Sequence, residues 1–137
     1  MRSCLAVKHG VQPLQVPLEA PPGAPPQLQS GWGYVSLSHC ADACLLGWSQ
    51  QPIGVDLERC DRAIPSAFAL IHRFFTRPEQ IELRDLKGEQ LRQEFLNRWP
   101  LKEAAIKWQQ GSLAQDLRFW QVCPTRRIAC HHGLNLK

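Results

Sequence analysis

Two short stretches of this chain carry residue types whose spacing suits phosphate chemistry: Gly54-Val55-Asp56-Leu57-Glu58 and Trp99-Pro100-Leu101-Lys102-Glu103-Ala104-Ala105-Ile106-Lys107. Glu103 and Lys107 are four residues apart, so on a helix they share one face, with Lys102 about a third of a turn away. The acidic stretch alternates with period two. As a strand it sends Asp56 and Glu58 to one side and Val55 and Leu57 to the other, with about 7 Å between the two carboxylate-bearing positions. Three carboxylates and two ammonium groups brought together would make a site for a hard divalent cation and a phosphate-rich ligand. Taken singly, each has a plainer reading. Asp56 and Glu58 suit an exposed strand face, Glu103 and Lys107 an ordinary surface pair, and His39 a loop histidine.

The elements that must position these residues are legible in outline. Residues 10–31 hold most of the prolines, which predicts an extended loop or arm without helix that wraps over the domain. Residues 32–39 alternate loosely, with Val35 and Leu37 facing a core and Tyr34, Ser36 and Ser38 facing away. Residues 44–48 and 53–58 read as two further strands joined by the hairpin connection Ser49-Gln50-Gln51-Pro52. In 64–75 the period changes: Phe68, Ile71 and Phe75 form the stripe of an amphipathic helix, with Pro65 in its first turn. Thr76 and Glu79 have capping-box spacing and predict a second helix over 77–86. Helix continues over 89–98 with Leu91, Phe95 and Leu96 inward. Pro100 predicts a break near Trp99 and a new helix that Gly111 ends. Residues 117–123 and 127–131 read as closing strands. Trp99 and Trp108 are read as packing residues beside a charged helix. The expected fold class is α+β, an antiparallel sheet packed with helices.

Composition narrows the function classes. The chain is one domain's length, 137 residues, with 44% hydrophobic and 20% charged content. Sixteen Lys and Arg against twelve Asp and Glu give a net charge of +4. That mild excess suits an anionic ligand or acidic partner, and no basic run points to nucleic acid. The apolar run at 4–7 is too short for a signal peptide and no stretch is long enough for a membrane span, which predicts a cytoplasmic protein. Six cysteines then read as reduced thiols. Cys40-x3-Cys44 and Cys130-His131-His132 admit a zinc reading, but paired CxxC elements are absent and buried thiols are the expectation.

The two stretches, separated by 40 residues between Glu58 and Trp99, resemble the signature pair of the 4'-phosphopantetheinyl transferases. Ser36-Leu37-Ser38-His39 is similar to a third motif of the longer, surfactin-synthetase-activator type. The resemblance runs over about 12–111 and more weakly beyond. It implies transfer of the phosphopantetheine arm of coenzyme A to a serine of an apo acyl carrier protein, or of a carrier domain of a polyketide or peptide synthase, with release of 3',5'-ADP. It further implies Mg²⁺ held by Asp56, Glu58 and Glu103. Glu103 would also help remove the serine proton, Lys107 would stabilise the leaving phosphate, and Lys102, Lys107, Ser38 and His39 would contact coenzyme A. Arg73, Arg77, Arg84 and Arg92, on the two middle helices, are candidates for meeting an acidic carrier protein.

The chain departs from that pattern in two ways. Pro100 stands where the motif usually has Ser or Thr, and it can start a helix but not cap it. The Ser-Leu-Ser-His motif also arrives by residue 36, so most of the first of the longer type's two similar halves is missing, and the closing strands stop early. The expected organisation is therefore 1–31 as a Pro-rich arm or remnant of the first half, and 32–137 as the transferase domain. A second copy would complete the pocket as a homodimer. The competing reading is a weak or inactive fragment that binds coenzyme A or a carrier protein, with a zinc-bound interaction domain third.

Overall fold

Proline density does not keep the N-terminal stretch free of regular structure. The computed structural model describes residues 1–126 and 128–131. It opens with helix α1 (Arg2–His9), closed by Gly10 in the left-handed region at φ 66°. A 3-10 turn at Pro13–Gln15 follows, then two short paired strands, β1 (Leu18–Glu19) and β2 (Gln27–Leu28). Within 10–31, expected as an extended loop or arm without helix, there is no α-helix among the described elements, only this single 3-10 turn and the short β1–β2 ladder. The Arg2 guanidinium donates to the Val16 and Leu18 carbonyls. Leu5, Ala6, Val16 and Leu18 bury themselves with Val35 of the next strand.

That strand, β3 (Tyr34–His39), pairs antiparallel with β4 (Cys44–Ser49), from Tyr34 opposite Ser49 to His39 opposite Cys44. The hairpin is thus one element earlier than expected, with its connection at 40–43 closed by Cys40 N–H donating to Ala43 O at 2.9 Å. Residues 53–58 are not a strand. They cross the hairpin's face, where Val55 N–H donates to Ser36 Oγ at 3.0 Å and Leu57 N–H to Ser38 Oγ at 3.2 Å. Period-two hydroxyls meet period-two amides, so side chains do the work that strand carbonyls would do in a ladder. Gly47 allows this: a Cβ there would lie 2.7 Å from the Val55 side chain. Val35 enters the core as predicted, whereas Leu37 is only half-buried, and Ser36 and Ser38, expected to face away, are buried.

Three helices build the larger core. Helix α2 (Ala67–Phe74) begins after Pro65, and its buried stripe is Ala67, Ile71 and Phe75; Phe68 instead points outward, 53% exposed. Helix α3 (Arg77–Leu83) starts at the expected capping box, with Thr76 N–H donating to Glu79 Oε2 at 2.8 Å. Helix α4 (Gly88–Gln109) runs unbroken through Pro100, against the expected break. Leu91, Phe95, Trp99, Lys102 and Ile106 form one buried stripe on both sides of the proline. Packing along that stripe offsets the roughly 3 kcal/mol that an interior proline costs. Phe95 stacks on Trp99 and Phe75 with centroids 5.0 and 5.4 Å apart. The helix ends at Gln110, in the left-handed region at φ 57°, with Gly111 N–H donating to Ile106 O at 3.0 Å.

A short helix α5 (Leu113–Asp116) leads to the antiparallel pair β5 (Trp120–Cys123) and β6 (Ile128–His131), near the expected closing strands; Arg127 lies outside the described residues. The architecture is α+β, with three two-stranded antiparallel ladders among the described residues. No described helix is long and apolar enough to cross a membrane.

Candidate active site

The acidic segment reaches α4 because residue 54 has no side chain. A Cβ on Gly54 would lie 1.9 Å from the Ala104 carbonyl oxygen and 2.4 Å from the Trp108 nitrogen. Only glycine permits that backbone-to-backbone approach. The contact falls beside Glu103 and Lys107, while the serines of β3 hold the other side of the segment.

The result is a convergence of charge. One carboxylate oxygen from each of Asp56, Glu58 and Glu103 lies within 4.8 Å of the others. Lys107 Nζ donates to Asp56 Oδ1 at 2.6 Å, and Ser38 Oγ donates to the same oxygen at 2.8 Å. The second oxygen, Asp56 Oδ2, is buried with no hydrogen-bond partner. Burial pushes the Glu103 carboxyl up to about 7; the Asp56 charge and a hydrogen bond that the protonated Glu103 shares with Asp56 add to this, while Lys107 opposes it. Glu58 is ion-paired with Arg62.

A buried carboxylate oxygen without a donor is costly unless something cationic meets it. Hard oxygen donors, excess negative charge and an unpartnered oxygen together fit a divalent cation of the Mg²⁺ kind.

Two of the residues expected to meet coenzyme A have their polar groups engaged within the protein. Lys102 is the clear correction. Its side chain is 0% exposed, its ammonium lies 2.8 Å from Glu79 Oε2 and bonds the Trp120 carbonyl, and it sits over the Phe75 ring. The reason is angular: consecutive helix residues point about 100° apart, and the core stripe of α4 takes Lys102 inward while Glu103 faces the acidic segment. Burial lowers the Lys102 pKa, and Glu79 works against that. Ser38 is buried too, its hydroxyl engaged by Asp56 and the Leu57 amide.

His39, by contrast, is exposed. It shares with Lys107, Trp108, Ile53 and Tyr34 a cleft of about 290 Å³. Trp99 is buried in the core, and Trp108 meets Trp120 edge-on with centroids 6.1 Å apart.

Sequence reasoning missed four contributors. Glu79 was read only as a cap, yet its carboxylate also accepts from Val122 N–H at 3.0 Å and from Lys102. Gly54 and Ser36 stood inside the quoted motifs, but their roles, a close backbone approach and a bond to the Val55 amide, were not read from them. Arg62 gave no signal, because it meets Glu58 across a turn and not along a helix. The expectation of buried thiols is corrected: Cys4, Cys44, Cys60 and Cys130 are exposed, and Cys40 and Cys123 are half-buried. Cys44 opens its strand at the hairpin's exposed end. Among the described residues, the cysteines enter no group that could hold a metal ion; His132 lies outside them. Arg92 is tied to Glu89 and to the Cys60 carbonyl. Arg77 and Arg84 border a cleft of about 260 Å³ with Phe68 and Ile81.

With this geometry in place, the comparison with protein families is decisive on class. The family model of the 4'-phosphopantetheinyl transferase superfamily matches residues 52–136, well over half of the chain, and the chain belongs to that superfamily. The match takes in Asp56, Glu58, Glu103 and Lys107 and begins after Ser38 and His39. No curated protein sequence matches the chain.

Proposed function

We propose that this chain transfers the 4'-phosphopantetheine arm of coenzyme A to a serine of an apo acyl- or peptidyl-carrier protein, releasing 3',5'-ADP, with Mg²⁺ as cofactor. The observation that carries the reading is the unpartnered, buried Asp56 oxygen at the centre of three converging carboxylates, beside Lys107. Glu58, two residues after Asp56, and the Ser-Leu-Ser-His sequence support the longer, surfactin-synthetase-activator type. We assign 1–31 as the arm and 32–137 as the transferase domain.

In this mechanism Asp56, Glu58 and Glu103 hold the cation. When bound, Mg²⁺ supplies positive charge to the diphosphate oxygens as the leaving phosphate departs. Ser38 fixes Asp56 Oδ1, which leaves Oδ2 free to ligate. Glu103 accepts the proton of the carrier serine, directly or through a water. The serine oxygen forms a bond to the phosphorus that bears the pantetheine arm, and the bond from that phosphorus to the bridging oxygen breaks. The electron pair leaves on 3',5'-ADP, where Lys107 meets the new charge. His39, across the cleft, contacts a phosphate of coenzyme A. Lys102 and Glu79 set the position of α4 rather than touching substrate.

The second reading is a coenzyme A or carrier-protein binding module with weak or no turnover; the engagement of Ser38 and Lys102 within the protein leaves fewer groups to act on the transferred phosphate, which favours weak turnover and not tighter coenzyme A binding. An intact-mass assay separates the two. Apo acyl carrier protein is incubated with this chain, coenzyme A and Mg²⁺, with an EDTA control. A metal-dependent gain of one phosphopantetheine arm supports the transferase. No gain from folded protein overturns it in favour of the binding module.

A further inference from the structure

The turn after the acidic segment is braced more heavily than a surface turn requires. Arg62 N–H closes it onto the Arg59 carbonyl at 3.1 Å. Arg59 spans it, with ion pairs to Asp61 at 2.6 Å and to Asp42 of the β3–β4 connection at 2.5 Å. From the other side Arg92 donates to the Cys60 carbonyl at 2.5 Å and the Arg62 carbonyl at 3.3 Å. The turn's backbone is tied down from both sides, and the Arg62 side chain leaves it to rest its guanidinium on Glu58. The Glu58 side chain is only 15% exposed and that of Arg62 is 45% exposed. The charged head thus stands at the mouth of the carboxylate cluster with solvent behind it.

Three carboxylates here are partly offset by two cationic side chains, Lys107 on Asp56 and Arg62 on Glu58. A divalent cation entering the cluster takes over that role, because a guanidinium and a metal ion compete for the same oxygen. We propose that Arg62 is a further phosphate-contacting residue: it neutralises Glu58 until the cation binds, then turns its guanidinium onto a phosphate oxygen of the co-substrate. A planar guanidinium suits that partner. A phosphate drawn to the cluster would come within reach of the guanidinium that Arg62 turns away from Glu58. The inference rests on the transferase reading of the site.

The test is calorimetric titration of the full chain, first with Mg²⁺ alone and then with coenzyme A in saturating Mg²⁺, for the wild type, Arg62→Gln and Arg62→Lys. Removing the competitor tightens Mg²⁺ binding about threefold in Arg62→Gln, the scale of a partly exposed ion pair. The same variant binds coenzyme A about tenfold more weakly, and Arg62→Lys recovers part of that loss. Weaker Mg²⁺ binding in Arg62→Gln would mean that Arg62 only props Glu58, which overturns the inference. Unchanged coenzyme A affinity overturns it equally. In both cases wild-type binding of Mg²⁺ and coenzyme A leaves the transferase reading standing, whereas a wild type that binds neither removes both.

Discussion

Lys107 Nζ and Asp56 Oδ1 are 2.6 Å apart across 51 residues of chain. The pair ties the last turn of α4 to the crossing segment, and it places a cation against one oxygen of a carboxylate whose other oxygen has no partner. We expect Lys107→Ala to lower kcat at least 100-fold, the scale of losing a preorganised charge at a leaving group. Asp56→Ala should abolish Mg²⁺ binding as well as turnover. Intact-mass kinetics with Mg²⁺ titration check both, and circular dichroism confirms that the variants fold. Retained turnover in either would sink the assignment.

Glu103 makes the metal-free protein sensitive to pH. Its carboxyl is raised from 4.5 to about 7 by burial first and Asp56 second, so the folded state binds its proton more tightly than the unfolded state does. That stabilisation is fully present below about 4.5 and is lost as pH rises through about 7. In EDTA the Tm should therefore carry a component that falls over this window. Glu103→Gln should flatten that component. Mg²⁺ binding needs the ionised carboxylate, so wild-type affinity should climb with pH up to about 7 and then level. Melts at several pH values, with EDTA or Mg²⁺, read both trends.

Gly54→Ala should be costly out of proportion to one methyl group. Its Cβ would meet the Ala104 carbonyl at 1.9 Å, and neither backbone can yield without moving the site. Overpacking of this kind costs roughly 1–3 kcal/mol, and we expect Mg²⁺ affinity to fall along with stability. Gly47→Ala is the useful comparison: its Cβ would meet side-chain atoms of Val55 and Ile53, which can adjust more readily. Urea denaturation of both variants should place Gly54→Ala as the more damaging.

Lys102 and Glu79 are each 0% exposed and bonded to one another. Removing one partner strands the other, so Lys102→Met and Glu79→Gln should each destabilise by about 3–5 kcal/mol. The double variant should lose much less than the sum. A double-mutant cycle in urea measures the coupling. Additive losses would show that the two side chains act independently.

The sequence disclosed chemistry more readily than connectivity. The structure brings Asp56, Glu58, Glu103 and Lys107 together: Glu103 and Lys107 share a helix face as their spacing implied, whereas Asp56 and Glu58 come from an extended crossing segment and not from the expected strand. Thr76 and Glu79 disclosed the start of α3 for the same local reason. What stayed hidden depended on long-range partners. Nothing local says that 53–58 would hang from serine hydroxyls instead of extending a sheet. Pro100 signals a break by every local rule, and only the stripe of buried residues on both sides carries the helix through it. Lys102 was misread because its spacing from Glu103 fixes an angle between them but not which of the two turns inward. The outward turn of Phe68 was missed for a similar reason, since Ala67 offers the same period one position earlier.

The serine suspension of the acidic segment separates two kinds of opening. Val55 and Leu57 amides are protected by the hydroxyls of Ser36 and Ser38, whereas the amides paired within β3 and β4 are protected by the hairpin's own ladder. The segment can lift away while every backbone bond of that ladder survives, so hydrogen exchange at these two amides should report breathing of the edge that carries Asp56 and Glu58 on its own clock, ahead of global unfolding. Ligand entry then requires no loosening of the hairpin, and a bound cation should slow exchange at Val55 and Leu57 while leaving the amides paired across β3 and β4 almost untouched.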